Sequence, residues 1–196
     1  MPLFDSITYK YNNSFRNQRA YKDIIPNDDL DIIIEEFQNP FDARVVSLIN
    51  ELESQSSISK EQNYFHLSVI DSLVREVLIL FTLGEEQPIY FLVNTYKIME
   101  NLKNEYNLGI NSSRLTKKKD SKPIPDYLFD SLGNLYMYSR YINSRDAAGI
   151  FSRHGATNVE PPLIKPTFKE IRMALITSIN FWLNHKCELI FERSHI

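Results

Sequence analysis

Paired helix start and stop signals, each enclosing apolar residues at helical spacing, constrain this chain more than any other feature. Ser59-Lys60-Glu61-Gln62 is a capping box, in which the Ser hydroxyl and the Gln side chain each satisfy an amide of the other's turn. It opens a predicted long helix carrying Tyr64, Phe65, Val69, Ile70, Leu73, Val74, Val77, Leu78, Leu80 and Phe81. The second half of that helix is apolar nearly all round, which predicts a central position. Gly84 is its expected left-handed stop. Pro88 then restarts the chain as a helix through Asn107, stopped in turn by Gly109, so the two helices form an antiparallel hairpin.

Similar punctuation recurs on both sides. Asn27 or Asp28 can cap a short helix holding Leu30, Ile33, Ile34 and Phe37, and Asn39 before Pro40 opens another with Phe41, Val45, Leu48, Ile49 and Leu52. Asp126 is the expected cap of a helical segment reaching Arg153 or His154, with a break near Gly133 and Gly155 as its stop. Residues 156–166 are expected to be extended, because each proline disfavours the α region in the residue before it. Thr167-Phe168-Lys169-Glu170 is a second capping box, opening a last helix with the stripe Ile176, Ile179, Leu183, Cys187 and Ile190, flanked by Leu175 and Trp182. Residues 1–26 show only a weak period of two, which fits a short strand or an arm laid across a groove.

The predicted fold is therefore all-α: a single bundle of about six helices, with an extended N-terminal arm and a basic linker between helices 4 and 5. The arm is placed at 1–26, an acidic helical part at 27–107, the basic linker at 108–125 and a basic helical part at 126–196, packed with 27–107 as one domain. At 196 residues the chain can bury a core without staples. The single Cys187 makes no internal bridge, and the start shows no secretory signal pattern. The expected compartment is the nucleus or the cytoplasm, with the nucleus favoured. Apolar runs fall far short of the ~20 residues of a membrane span.

Charge is divided along the chain. Residues 1–107 carry 9 Lys and Arg against 17 Asp and Glu, whereas residues 108–196 carry 13 against 8, so the net −3 conceals two halves of opposite sign. The acidic side is partly explained by helix capping, since Asp28, Asp29 and Asp31 complement a helix N-terminus. The basic side concentrates in two places. Arg114, Lys117, Lys118, Lys119 and Lys122 form a run suited to nuclear import or phosphate contact, with Ser112, Ser113, Thr116 and Ser121 as sites where phosphorylation would subtract charge. Arg140, Tyr141, Arg145, Arg153, His154 and Lys165 form a second group, in which Arg145, Gly149 and Arg153 recur every four residues and are expected to share a helix face. Arg with Tyr is the composition of interface anchors, and also of side chains that contact phosphate and stack on bases.

Chemistry-bearing patterns are scarce. His66, His154, His185 and His195 show no metal-ligand spacing, His185 and Cys187 point apart on a helix, and no glycine-rich phosphate cradle occurs among five glycines. No catalytic residue, metal, cofactor or small-molecule substrate is expected. The expected function is a non-catalytic helical subunit of an intracellular, nuclear multiprotein complex, acting as a scaffold for protein partners. The alternative is nucleic-acid contact through the basic half.

Overall fold

The computed structural model describes residues 6–11, 14–19, 59–111, 114–154 and 159–191. The helices expected around residues 27–37 and 39–52 lie outside them. The chain divides into two compact units, residues 1–48 and 49–196. Within the first, β1 (Ser6–Tyr11) and β2 (Ser14–Arg19) pair as an antiparallel hairpin, with Ser6 opposite Arg19 and Tyr11 opposite Ser14. The weak alternation expected to mark an arm is thus a two-stranded ladder.

The second unit is helical, as the spacing predicts. It comprises α1 (Lys60–Ile70), α2 (Ser72–Glu86), α3 (Pro88–Glu105), the short hairpin β3 (Gly109–Asn111) and β4 (Arg114–Thr116), α4 (Asp126–Tyr136), α5 (Ser139–Asn143), α6 (Arg145–Ala148), a 3-10 turn (Gly149–Phe151) and α7 (Phe168–Phe191). Both capping boxes form. Ser59 and Gln62 exchange bonds of 2.7 and 3.2 Å, and Thr167 and Glu170 do the same at 2.7 and 3.2 Å. Leu67, Val77, Leu92, Ile98, Leu128, Leu135, Ile142, Ile171 and Trp182 are all fully enclosed where α1, α2, α3, α4 and α7 meet.

The predicted long helix is two helices. Asp71 leaves helical geometry (φ −114°, ψ 112°) and its carboxylate accepts from the amides of Leu73 (2.9 Å) and Val74 (3.2 Å), capping α2. Arg75 reaches back to the carbonyls of Ser68 (2.9 Å) and Val69 (3.0 Å), which α1 leaves without intrahelical donors. Apolar periodicity continues across this corner, so spacing alone does not reveal it.

Two expected glycine stops are not stops. Gly84 lies inside α2, where an added Cβ would meet the Cα of Phe91 at 3.4 Å; it lets α2 and α3 approach. Asn94, which borders the same contact, fixes that hairpin by donating to the Leu80 carbonyl at 3.0 Å. At the end of α3 the left-handed residue is Asn107 (φ 51°), not Gly109. The amide of Leu108 bonds the carbonyl of Lys103 (2.9 Å) and that of Asn107 the carbonyl of Asn104 (3.1 Å), which is a Schellman motif built on asparagine.

The expected solvated linker begins as β3–β4, with Leu115 buried and β4 packed against α4. Asn107 holds the return of the loop. Its amide donates to the Asp120 carboxylate (2.7 Å), its carbonyl accepts from the Ser121 hydroxyl (3.0 Å), and Lys122 donates its amide to the Tyr106 carbonyl (3.0 Å). The segment expected to be one helix to residue 153 or 154 breaks into α4, α5, α6 and the 3-10 turn. Its first break lies past Gly133, beyond Tyr136, and Ser144 caps α6 by accepting from the Ala147 amide at 3.3 Å. Gly149 takes φ 61° and ψ −132°, open only to glycine, so Arg145, Gly149 and Arg153 do not share a helix face. On α7 the buried side runs through Ile171, Leu175, Ser178, Trp182 and Leu183, and the outer members of the predicted stripe, Ile176 and Ile190, are half-buried and exposed.

Gly133 has neither a left-handed φ nor a neighbour within 4 Å of an added Cβ. Gly133→Ala should therefore stabilise the fold by about 0.5–1 kcal/mol through helix propensity. A thermal melt of the variant, expected to shift upward by about 1–4 °C, checks this.

Candidate interaction surface

Three groups of side chains are distinctive in the helical unit: an interior ion cluster, the two basic stretches, and an apolar socket beside an exposed loop. The interior cluster forms because α7 runs past the α1–α2 corner and the end of α3. Lys186 donates to Asp71 at 2.8 Å and pairs with Glu105, and the indole of Trp182 donates to the same Glu105. The three charged side chains are only 13–20% exposed. Burial pushes the Asp71 carboxyl up, but the Lys186 ammonium and the amides of Val74 and Leu73 outweigh it, and Asp71 sits below its ordinary value. Burial likewise pushes Lys186 down, and Asp71 and Glu105 together hold it above its ordinary value. Nearby, Tyr64 bonds Asn184 and is raised by burial, and Tyr106 faces His185 with ring centroids 6.1 Å apart. His185 stands 3.6 Å from Glu188, too far for a hydrogen bond. Among the described residues, no group of three His, Cys, Asp or Glu side chains could hold a metal ion. Cys187 is fully buried on the apolar side of α7.

The sequence-predicted residues fall into the two expected stretches, several of them with partners inside the chain. Lys117 pairs with Asp126 at 3.1 Å and lies over the Phe129 ring, and Lys118 donates to Asn107 at 3.3 Å. Arg114, Lys119 and Lys122 are exposed around the hairpin and its return. In the second stretch, Tyr141 is buried and turned into the core, whereas Arg140, Arg145 and Lys165 are exposed. Arg153 lies 3.8 Å over the Tyr96 ring and donates its amide to the Ile142 carbonyl, so it ties the 3-10 turn to α3 and α5. The carbonyl of His154 accepts from Ser152 at 2.7 Å. The basic excess is thus spread over several elements.

The third group escapes sequence reasoning altogether. Gly84, Pro88 and Phe91 of the α2–α3 hairpin and Phe168 of α7 line a shallow socket of about 240 Å³ that opens widely to solvent, with Glu85, Lys169 and Arg172 at its mouth. Phe168 packs against Phe91 (5.7 Å) and receives Phe151 edge-on (5.4 Å), which makes the floor firm. Arg172 grips Glu85 with both oxygens, at 2.8 and 2.9 Å from its Nε. The volume falls below the ~300–1,000 Å³ of small-molecule sites and suits one large apolar side chain. Close by in sequence, Leu163 and Ile164 stand wholly clear, at 105% and 85% exposure. The only sequence signal for this pair was two aliphatic residues among prolines, outside any periodicity.

No family model matches the chain, and no curated protein or solved structure matches it.

Two outcomes test the ion cluster. Asp71 has a lowered value in the fold, so its contribution is complete above about pH 4 and fades as pH falls through that value. Lys186 has a raised value, so its contribution is complete below pH 10.5 and fades above it. Lys186→Met should cost about 3 kcal/mol at pH 7, because it leaves two carboxylates buried without their cation. Part of that loss should return toward acid pH as the unpaired Asp71 carboxyl takes up a proton. Denaturant melts of both proteins across the pH range measure each effect.

Proposed function

We propose that this chain is a non-catalytic helical subunit of an intracellular, nuclear multiprotein assembly, in which its surface holds partner proteins. The observation that carries this reading is the pair Leu163 and Ile164. Single exposed aliphatic residues are ordinary on a protein surface, whereas two adjacent ones left almost wholly in solvent are better explained by a contact surface. Ile150, at 79% exposure, adds to the apolar surface on the Phe168 side, where its neighbour Phe151 packs. Lys117, Lys118 and Lys119 are exposed, which supports an import signal. The side chains of Lys117 and Lys118 have partners within the chain, and this favours protein contact over phosphate contact for the run.

Native extraction of the tagged chain, followed by crosslinking and mass spectrometry, tests the reading. A defined set of proteins should copurify in fixed proportion, with crosslinks at Lys165. Leu163→Asp with Ile164→Asp should reduce their recovery at least about tenfold, in line with the ~1.5–3 kcal/mol carried by each buried aliphatic side chain, while leaving the melting temperature unchanged. A chain recovered as a lone monomer, or one whose double variant keeps every partner, overturns it.

A further inference from the structure

The exposed loop and the apolar socket have complementary chemistry and share one edge of the fold. Residues 159–166, Val-Glu-Pro-Pro-Leu-Ile-Lys-Pro, end only one residue before Phe168, the helix-opening side chain that lines the socket. Leu163 and Ile164 are exposed while Val159, Pro162 and Pro166 are half-buried, so the segment rests partly on the body and presents these two aliphatic side chains to solvent as a short finger, neither of them lining its own chain's socket. Pro161, Pro162 and Pro166 each lock one φ, which removes much of the ordering that binding would otherwise require. A finger prearranged in this way needs a receptor that takes one large aliphatic side chain and shields its neighbour. The Pro88–Phe91–Phe168 socket has the volume for the first, and Ile89 and Met173, exposed by 42% and 52% beside its lining residues, are apolar surface for the second.

We propose that the 159–166 finger docks into the socket of a second copy of this chain, and that the reciprocal finger fills the first copy's socket about a two-fold axis. Three residues, 165–167, separate Ile164 from Phe168, so finger and socket lie at one edge and a single isologous contact buries two of each. Charge supports the match. Lys169 at the socket mouth has no ion pair among the described residues, since the neighbouring Glu85 is held by Arg172. Glu160, exposed three residues before Leu163, is the complementary group that the other copy brings. Few large side chains leave water in such a contact, which makes the dimer weak and reversible.

The purified full chain tests this directly. Sedimentation should show a monomer–dimer equilibrium over roughly the 1–200 µM range. The double variant Leu163→Asp, Ile164→Asp should remain monomeric throughout with an unchanged melting temperature, and the milder Leu163→Ser, Ile164→Ser should weaken dimerisation at least about tenfold. A fluorescent peptide of residues 159–167 should bind the double-Asp chain saturably, and should slow amide exchange at residues 84–91 and 168–172. A wild-type chain that stays monomeric at the top of the range overturns the inference. So does a dimer that survives in the double-Asp variant, or a peptide that leaves the exchange of both segments unchanged. The inference shares with the proposed function only the assumption that the finger is a contact surface. A chain that copurifies with other proteins but stays monomeric when pure would remove this inference and leave that one standing.

Discussion

Lys186 reaches from the last helix into the angle between α1 and α2 and neutralises Asp71 there, while pairing with Glu105 at the end of α3. Three segments distant in sequence meet at that ammonium. Two carboxylates drawn so near each other in a low-dielectric interior would repel without it, and Asp71 is also the residue that turns the chain between α1 and α2. Trp182, one turn earlier on α7, adds its indole N–H to Glu105, so a single helix face supplies both the cation and the donor. The apolar contacts around Leu67, Val74, Leu102 and Leu183 are non-directional, and many sliding arrangements of these helices would bury them. The ion cluster is directional, and it is satisfied only where Lys186, Asp71 and Glu105 meet.

A second directional device closes α3 just beyond Glu105. Asn107 enters the left-handed region, its neighbours complete the Schellman bonds, and its side chain and carbonyl hold Asp120 and Ser121 at the return of the basic loop. The loop between is pinned as β3–β4 with Leu115 inward. Much of a stretch rich in lysine and serine, with no periodicity, is therefore tied down, and two of its charges, Lys117 and Lys118, bond Asp126 and Asn107 inside the chain.

Elsewhere on the helical unit an apolar socket lies among charged side chains. At the socket, Gly84 permits the close approach of α2 and α3, Pro88 starts α3, and Phe168 arrives from α7. The segment before α7 exposes Leu163 and Ile164 to solvent. An apolar socket and exposed aliphatic side chains on one surface are the ingredients of the proposed self-contact.

Local signals were enough to establish the helical class. Both capping boxes, Pro88 at the start of α3, the buried apolar sets of α2 and α3 and the enclosed Cys187 follow from interactions within a turn or two of the backbone. Signals with two local meanings were not enough. Asp71 reads equally as an exposed helical residue and as a cap, and only Lys186, 115 residues away, makes the corner worthwhile. A glycine reads as a stop, yet the packing of Phe91 against Gly84 gives it another use. The basic residues were visible as a composition, whereas their partners at Asp126, Asn107 and Tyr96 come from other elements, and the inward turn of Tyr141 comes from the packing of α5. The socket has no sequence signature, because a cavity is made by the spacing of helices and not by any one of them. The sequence by itself determined where helices form, since capping and periodicity are short-range. Tertiary structure alone decided where they turn, which charges remain free and which apolar side chains stay in water, since each depends on residues that meet only after folding.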